Sequence, residues 1–156
     1  MSIIETTMEI PVSHAGNIFG KLDSHVKILE KHLGVTLVFR DGTLKIVGNG
    51  SHVKKAEKII GNLLALSVRG NQITEQEVNY ALALSYEDKD DAMVEIDKDL
   101  ICHTIFGKPV KPKTLGQKQY VDAIRNKMIV FGTGPAGTGK TYLAMAMAID
   151  AFKKEE

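Results

Sequence analysis

The sequence predicts an α+β domain built on a mostly antiparallel sheet, followed by a first βα unit of an α/β fold. Three observations carry this. "VTLVFRDGTLKIVG" sets two β-rich runs around Asp41-Gly42, a hairpin signature. Helical stripes lie on either side of that hairpin, over residues 22–33 and 53–64. Near the end, the apolar run "MIVFG" leads into a glycine loop and an Ala/Met-rich helix, the pattern of a strand covered on both faces.

Taken in order, Ile3 to Val12 alternates roughly and reads as a strand closed by Pro11. "SHAGNIFGKLDS" holds Gly16 and Gly20 and reads as a loop. Leu22, Val26, Leu29 and Leu33 then recur at helical spacing, with Asp23 or Ser24 to cap the start and Gly34 to end the helix in a left-handed residue. The hairpin follows. "GNGS" breaks its second strand, and Ser51 is the expected cap of a helix whose stripe is Val53, Ala56, Ile60, Leu63 and Leu64. Gly61 lies inside that helix at a cost of about 1 kcal/mol relative to Ala, and Arg69-Gly70 stops it. Thr74 and Glu77 form a T-x-x-E capping box, with Ile73 and Val78 at the staple positions. Val78, Ala81, Leu82 and Ser85 should face inward. These elements complete a first domain over residues 1–88.

Residues 89–113 read as a linker. The stretch "YEDKDDAMVEIDKDL" (86–100) carries seven acids and two lysines and is expected to be solvated. "ICHTIFG" is a short strand candidate, and "KPVKPKT" should be extended. Residues 114–156 form the last unit: a helix over "GQKQYVDAIRN" with Tyr120, Val121 and Ile124 inward, the "MIVFG" strand, the loop, and a helix from Gly139 to about Lys153.

Bulk composition excludes little. Of 156 residues, 44% are hydrophobic and 25% charged, the balance of a globular protein, and the net charge is +1. The distribution is more telling. Residues 1–107 carry 11 Lys+Arg against 15 Asp+Glu, a net of −4, and residues 108–156 carry 9 against 4, a net of +5. Two units with different partners are expected. Cys102 is the only cysteine, so no internal disulfide can form. The acidic start "MSIIETTMEI" is not a secretory signal, and no apolar run is long enough to span a membrane. A cytoplasmic protein with no membrane partner is expected. The five histidines and Cys102 show no metal-ligand spacing: His25 and His32 are seven apart, and Cys102-His103 is an isolated pair.

The chemistry sits in "GPAGTGKT", which matches G-x-x-x-x-G-K-[ST] through Gly134, Gly139, Lys140 and Thr141. Glycines let the backbone wrap a phosphate without a Cβ in the way. Amides from about Gly137 to Thr141 can point into one anion-sized concavity, and the following helix adds its positive end. Lys140 supplies charge for β- and γ-phosphates, and the Thr141 hydroxyl is a suitable hard ligand for Mg²⁺. The expected nucleotide contacts are Gly134, Pro135, Ala136, Gly137, Thr138, Gly139, Lys140 and Thr141.

"PKTLGQKQYVDAI" followed by "FGTGPAGTGKTYLAMAMAIDA" resembles the start of the ATPase domain of the PhoH family, and "GNIFGKLDSHVKILEKHLGVTLVFRDGTLKIVG" resembles that family's KH-like N-terminal domain. Together they cover essentially the whole chain. The resemblance implies a KH-like domain followed by the first βα unit of a P-loop NTPase, ATP and Mg²⁺ as ligands, and roles in RNA metabolism or phosphate-starvation responses. It also implies that Gln117 reads adenine, since its amide both donates and accepts. RNA, RNA-processing proteins and a second copy of the chain are the partners it leaves open.

Two departures stand out. A P-loop ATPase needs a Walker-B acid and a residue orienting water, yet only Asp150, Glu155 and Glu156 follow the loop. This stretch is therefore expected not to hydrolyse ATP by itself. Residues 128–156 are expected to be poorly ordered, or to pack on the first domain or on another copy, for want of neighbouring strands. Second, KH domains clamp RNA with G-x-x-G, whereas residues 16–20 read G-N-I-F-G. Residues 21–69 nonetheless hold 9 Lys+Arg against 4 Asp+Glu. Lys21, Lys27, Lys31, Lys54, Lys55 and Lys58 are candidates for a phosphate-binding face; ordinary solvated helix faces account for the same residues. The alternative to an ATP-binding protein is thus an RNA- or protein-binding KH-like module with a P-loop remnant.

Overall fold

The computed structural model describes residues 3–87, 89 and 92–155. It divides into two compact units, 1–91 and 92–156.

The first unit is a three-stranded antiparallel sheet with helices on one face. Its elements run β1 (Ile3–Glu9), α1 (Val12–Phe19), α2 (Ser24–Leu33), β2 (Val35–Arg40), β3 (Thr43–Asn49), α3 (Gly50–Val68) and α4 (Glu75–Tyr86). The strand order is β1-β3-β2, so β3 is central and hydrogen-bonded on both sides. Thr6 and Leu37 both register on Ile46. Period-2 alternation puts Val35, Leu37, Leu44 and Ile46 into the core and leaves Glu5, Thr36 and Val38 on the open face. Ile10, just after β1, and Ile18, Leu29, Val53, Ile59, Ile60 and Leu63 from the helices complete the core.

The hairpin turns as expected: Asp41 and Gly42 both have positive φ, 49° and 83°, the requirement of a type I′ turn. Gly34 ends α2 in the left-handed region. The Thr74/Glu77 capping box is formed, and Ile73, Val78, Ala81, Leu82 and Ser85 are buried. Caps of this kind contribute about 1 kcal/mol.

Four local expectations in this unit need correction. Residues 12–19 are a helix, not a loop, because Ala15, Ile18 and Phe19 share a buried face while Gly16 faces open space. Leu22 does not join the α2 stripe; it is 90% exposed at φ 53°, in the short 3-10 turn before the helix. Neither Asp23 nor Ser24 caps α2 through its side chain. At α3 the cap is Asn49, which accepts from the Ser51 amide at 3.3 Å, so the helix starts before Ser51. A half-buried polar cluster then pins α1 to the end of α3 and the segment after it. Asn17 Nδ2 donates to Ser67 Oγ and to the Asn71 carbonyl, both at 2.8 Å, and Asn17 Oδ1 accepts from the Ile73 amide.

The second unit runs α5 (Ala92–Lys98), β4 (Cys102–His103), β5 (Pro109–Val110), α6 (Leu115–Asn126) and α7 (Lys140–Lys154). β4 and β5 pair antiparallel. Ile101, Val110, Val121, Leu143, Ala146 and Met147 form its core. Residues 92–113 therefore pack within this unit instead of standing apart as a linker. Met93 and Ile96 of α5 are buried, and the aspartates at 97 and 99 that follow are paired. Asp97 bonds Lys111, and Asp99 takes Lys118 at 3.0 Å and Arg125 at 2.8 Å. Those pairs are what a charge count cannot reveal. Asp88, Asp90 and Asp91 of the acidic stretch lie outside the described residues.

The expected strand at "MIVFG" does not form. Residues 127–134 form no ladder and bend at Met128 and Gly134, and Met128, Ile129 and Phe131 are 100%, 71% and 88% exposed. α7, by contrast, finds its partners inside its own unit, packing Leu143 and Met147 with Val121 of α6. No helix among the described residues is long and apolar enough to cross a membrane.

Candidate functional site

The glycine loop lies between the unpaired segment 127–133 and α7. Gly134, Gly137 and Gly139 all have positive φ, 147°, 76° and 79°, conformations that a side-chain-bearing residue rarely adopts. Gly139 is the N-cap of α7 without a side-chain bond, so the first-turn N–H groups of that helix have no intrahelical partner. Thr141 stands exposed in that first turn. Lys140 folds back over the loop. Its Nζ donates to the Gly134 carbonyl at 3.0 Å, the Pro135 carbonyl at 2.6 Å and Thr138 Oγ1 at 3.0 Å. Thr138 Oγ1 in turn donates to the Pro135 carbonyl at 2.9 Å. The charged group, the glycines and the helix end are thus gathered within one loop of eight residues.

α6 reaches the same loop. Thr114 is its N-cap and accepts from the Gln117 amide at 3.2 Å. Gln117 Nε2 donates to the Thr138 carbonyl at 3.2 Å, and its Oε1 accepts from the Lys113 amide at 2.7 Å. A cavity of about 400 Å³ opens between α6 and the loop, lined among others by Thr114, Gln117, Tyr120, Phe131, Thr138 and Lys140. Sequence reasoning found Gln117 and the loop together. It missed Thr114 as a cap, although T-x-x-Q at 114–117 is capping-box spacing, and, while Tyr120 does pack against the core as expected, it missed that the same ring walls the cavity.

Asp99 holds α6 from behind. Its carboxyl lies below the ordinary range, first through the hydrogen bond from Arg125 and then through Lys118, against the opposing effect of burial. Lys118 is raised, first by Asp122 and then by Asp99.

The lysines of the first unit do not all converge. Lys21 lies in the turn between α1 and α2, and Lys27, in the first turn of α2, donates from Nζ back to the Leu22 carbonyl of that turn at 3.1 Å. Lys31 is exposed further along α2. Lys54 and Lys58 are exposed one turn apart on α3. Lys55 is engaged elsewhere, donating to the Ser85 carbonyl at 3.3 Å with its ammonium 5.6 Å from the Tyr86 ring centre. The turn itself corrects the glycine spacing. Gly16 is inside α1, and the loop is Gly20-Lys21-Leu22-Asp23, with Gly20 at φ 74° and Asp23 at φ 56°. This turn reads G-x-x-D, one glycine short of G-x-x-G, with positive φ at both ends. Among the described residues, no three His, Cys, Asp or Glu side chains gather as a metal site.

Comparison with known proteins fits both units. The family model described as PhoH-like protein matches residues 109–156, and the KH domain model matches 5–62. A PhoH-like protein of Bacillus subtilis (strain 168) is 36% identical over 137 residues, covering 88% of this chain and 43% of the relative. One from Mycobacterium leprae (strain TN) is 36% identical over 154 residues, 98% of this chain and 44% of the relative. One from Synechocystis sp. is 27% identical over 157 residues, 100% and 48% respectively. The chain spans a little under half the length of these relatives. No solved structure matches it. Two family models on the two units, and relatives aligned along 88–100% of the sequence, place the chain in the PhoH-like family, with a KH domain in its first unit.

Proposed function

We propose that the second unit captures Mg-ATP in the loop 134–141, as part of a PhoH-like ATPase, and that the KH domain directs that activity to RNA. The observation that carries the first half is the loop geometry: three positive-φ glycines and Lys140 at the open N-terminus of α7. An entering triphosphate competes with the Gly134 and Pro135 carbonyls for the Lys140 ammonium, and it meets first-turn amides that need acceptors. Thr141 would hold Mg²⁺ through its hydroxyl, and the metal would supply charge neutralisation between the phosphates. Calorimetric titration with Mg-ATP tests this. The wild type should bind and Lys140→Ala should lose at least about tenfold, the worth of one charge-assisted contact. No heat from the wild type at millimolar Mg-ATP would sink the reading.

The second reading, an RNA- or protein-binding module, draws on the KH domain match over 5–62 and on the G-x-x-D turn with Lys21 beside it. It accounts for the first unit whatever the loop does. A phosphate-starvation role rests on the family alone.

A further inference from the structure

We infer that α6 is the positioning element of the glycine loop, acting through Gln117 and Tyr120, and that Gln117 serves the phosphate end of the site before any base. This rests on the reading of 134–141 as a triphosphate site.

Two contacts bracket the loop. At its entrance the Tyr120 ring lies against Gly132: a Cβ there would sit 3.0 Å from Cε2, 3.2 Å from Cζ and 3.3 Å from the hydroxyl oxygen. A side chain at 132 would oblige the ring to shift by a few tenths of an ångström. At the far side, one turn earlier on α6, Gln117 Nε2 donates to the Thr138 carbonyl at 3.2 Å. A Cβ on Gly139 would approach that same Nε2 to 3.2 Å. Gly134 to Gly137 therefore span between two fixed points offered by one helix.

The helix can hold them because it is itself held. Val121 is fully buried, and Asp99 takes Lys118 and Arg125 on the same helix. Gln117 is oriented independently of the loop by its Oε1 bond from the Lys113 amide at 2.7 Å. One donor and one acceptor position of its amide are thus committed to the protein backbone. An amide held this way transmits the helix position to Thr138, whose hydroxyl already accepts from Lys140.

The test begins on the ligand-free chain. Amide ¹⁵N relaxation should give Gly134–Gly139 order parameters near the rigid value of about 0.85 in the wild type, and below about 0.6 in Gln117→Ala and Tyr120→Ala. α7 beyond its first turn should not change. Tyr120→Phe should behave as wild type, since the contact is made by the ring. Gln117 is half-buried at the helix start, so its alanine variant tests the idea even where Tyr120→Ala fails to fold. Titration with Mg-tripolyphosphate and with Mg-ATP then follows. Gln117→Ala should weaken both by the same factor, about fivefold to tenfold, the worth of one hydrogen bond. Unchanged loop order parameters overturn the inference. So does a loss confined to ATP, which would make Gln117 a base reader only. A wild type that binds neither ligand removes the triphosphate reading, and the relaxation result still decides whether α6 holds the loop.

Discussion

β3 and residues 128–131 begin as similar material, and they end differently. Both are short runs rich in β-forming residues, "TLKIV" and "MIVF". β3 has β1 on one side and β2 on the other, and Leu44 and Ile46 are 1% and 0% exposed. The 128–131 run has no ladder among the described residues, and Met128 is fully exposed. A strand's hydrogen bonds go to its neighbours, so its own sequence does not suffice. A helix satisfies its own backbone, which is why α7 forms beside the same unpaired segment.

That difference can be broken or sharpened by experiment. The largest effect should appear in amide exchange: Leu44–Val47 should exchange about a hundredfold or more slower than Met128–Phe131, because only the former requires unfolding of a core. Comparable protection in a monomer would mean the apolar run has a partner that the structure lacks. Next, Leu63→Ala, at a site 0% exposed in α3, should cost roughly 2–5 kcal/mol in chemical denaturation. A loss below about 1 kcal/mol would show that the first unit repacks freely and is less finished than its burial suggests.

The smallest effect concerns pH and the second unit. The Asp99 carboxyl is held below the ordinary carboxylate range, first by Arg125 and then by Lys118. A depressed acid contributes stability above its unfolded pKa and loses it as pH falls through the folded value. Melting of the second unit should therefore fall as pH drops below about 4, and Asp99→Asn should flatten that limb. An unchanged acid limb in the variant would show that the Asp99 pairs do not hold α6.

Most of the first unit was legible because its signals are local. Asp41-Gly42 demanded a turn with two positive φ angles between two β-rich runs, and Thr74-x-x-Glu77 demanded a helix start. The misreadings also have local causes. Two glycines at 16 and 20 looked like a loop, but Gly16 costs α1 little while Ala15, Ile18 and Phe19 are buried beside it. Asn49 took the cap expected of Ser51 by lying one residue ahead of the helix. In the candidate site, Gly134, Lys140 and Thr141 were readable from spacing, and Gln117 from resemblance. Tyr120 against Gly132 was not, since the contact joins residues twelve apart across a loop.

By itself, the sequence determined which segments turn, cap and coil, and where the glycine loop must bend, because φ preferences and i,i+3 bonds involve only near neighbours. The tertiary structure alone decided the rest. It decided that Asp97 and Asp99 are paired and not solvated, that Lys55 is tied to Ser85 and Tyr86, and that α6 grips the loop at Gly132 and Thr138. Those outcomes depend on which distant groups arrive at one place, and charge count and spacing carry no record of that.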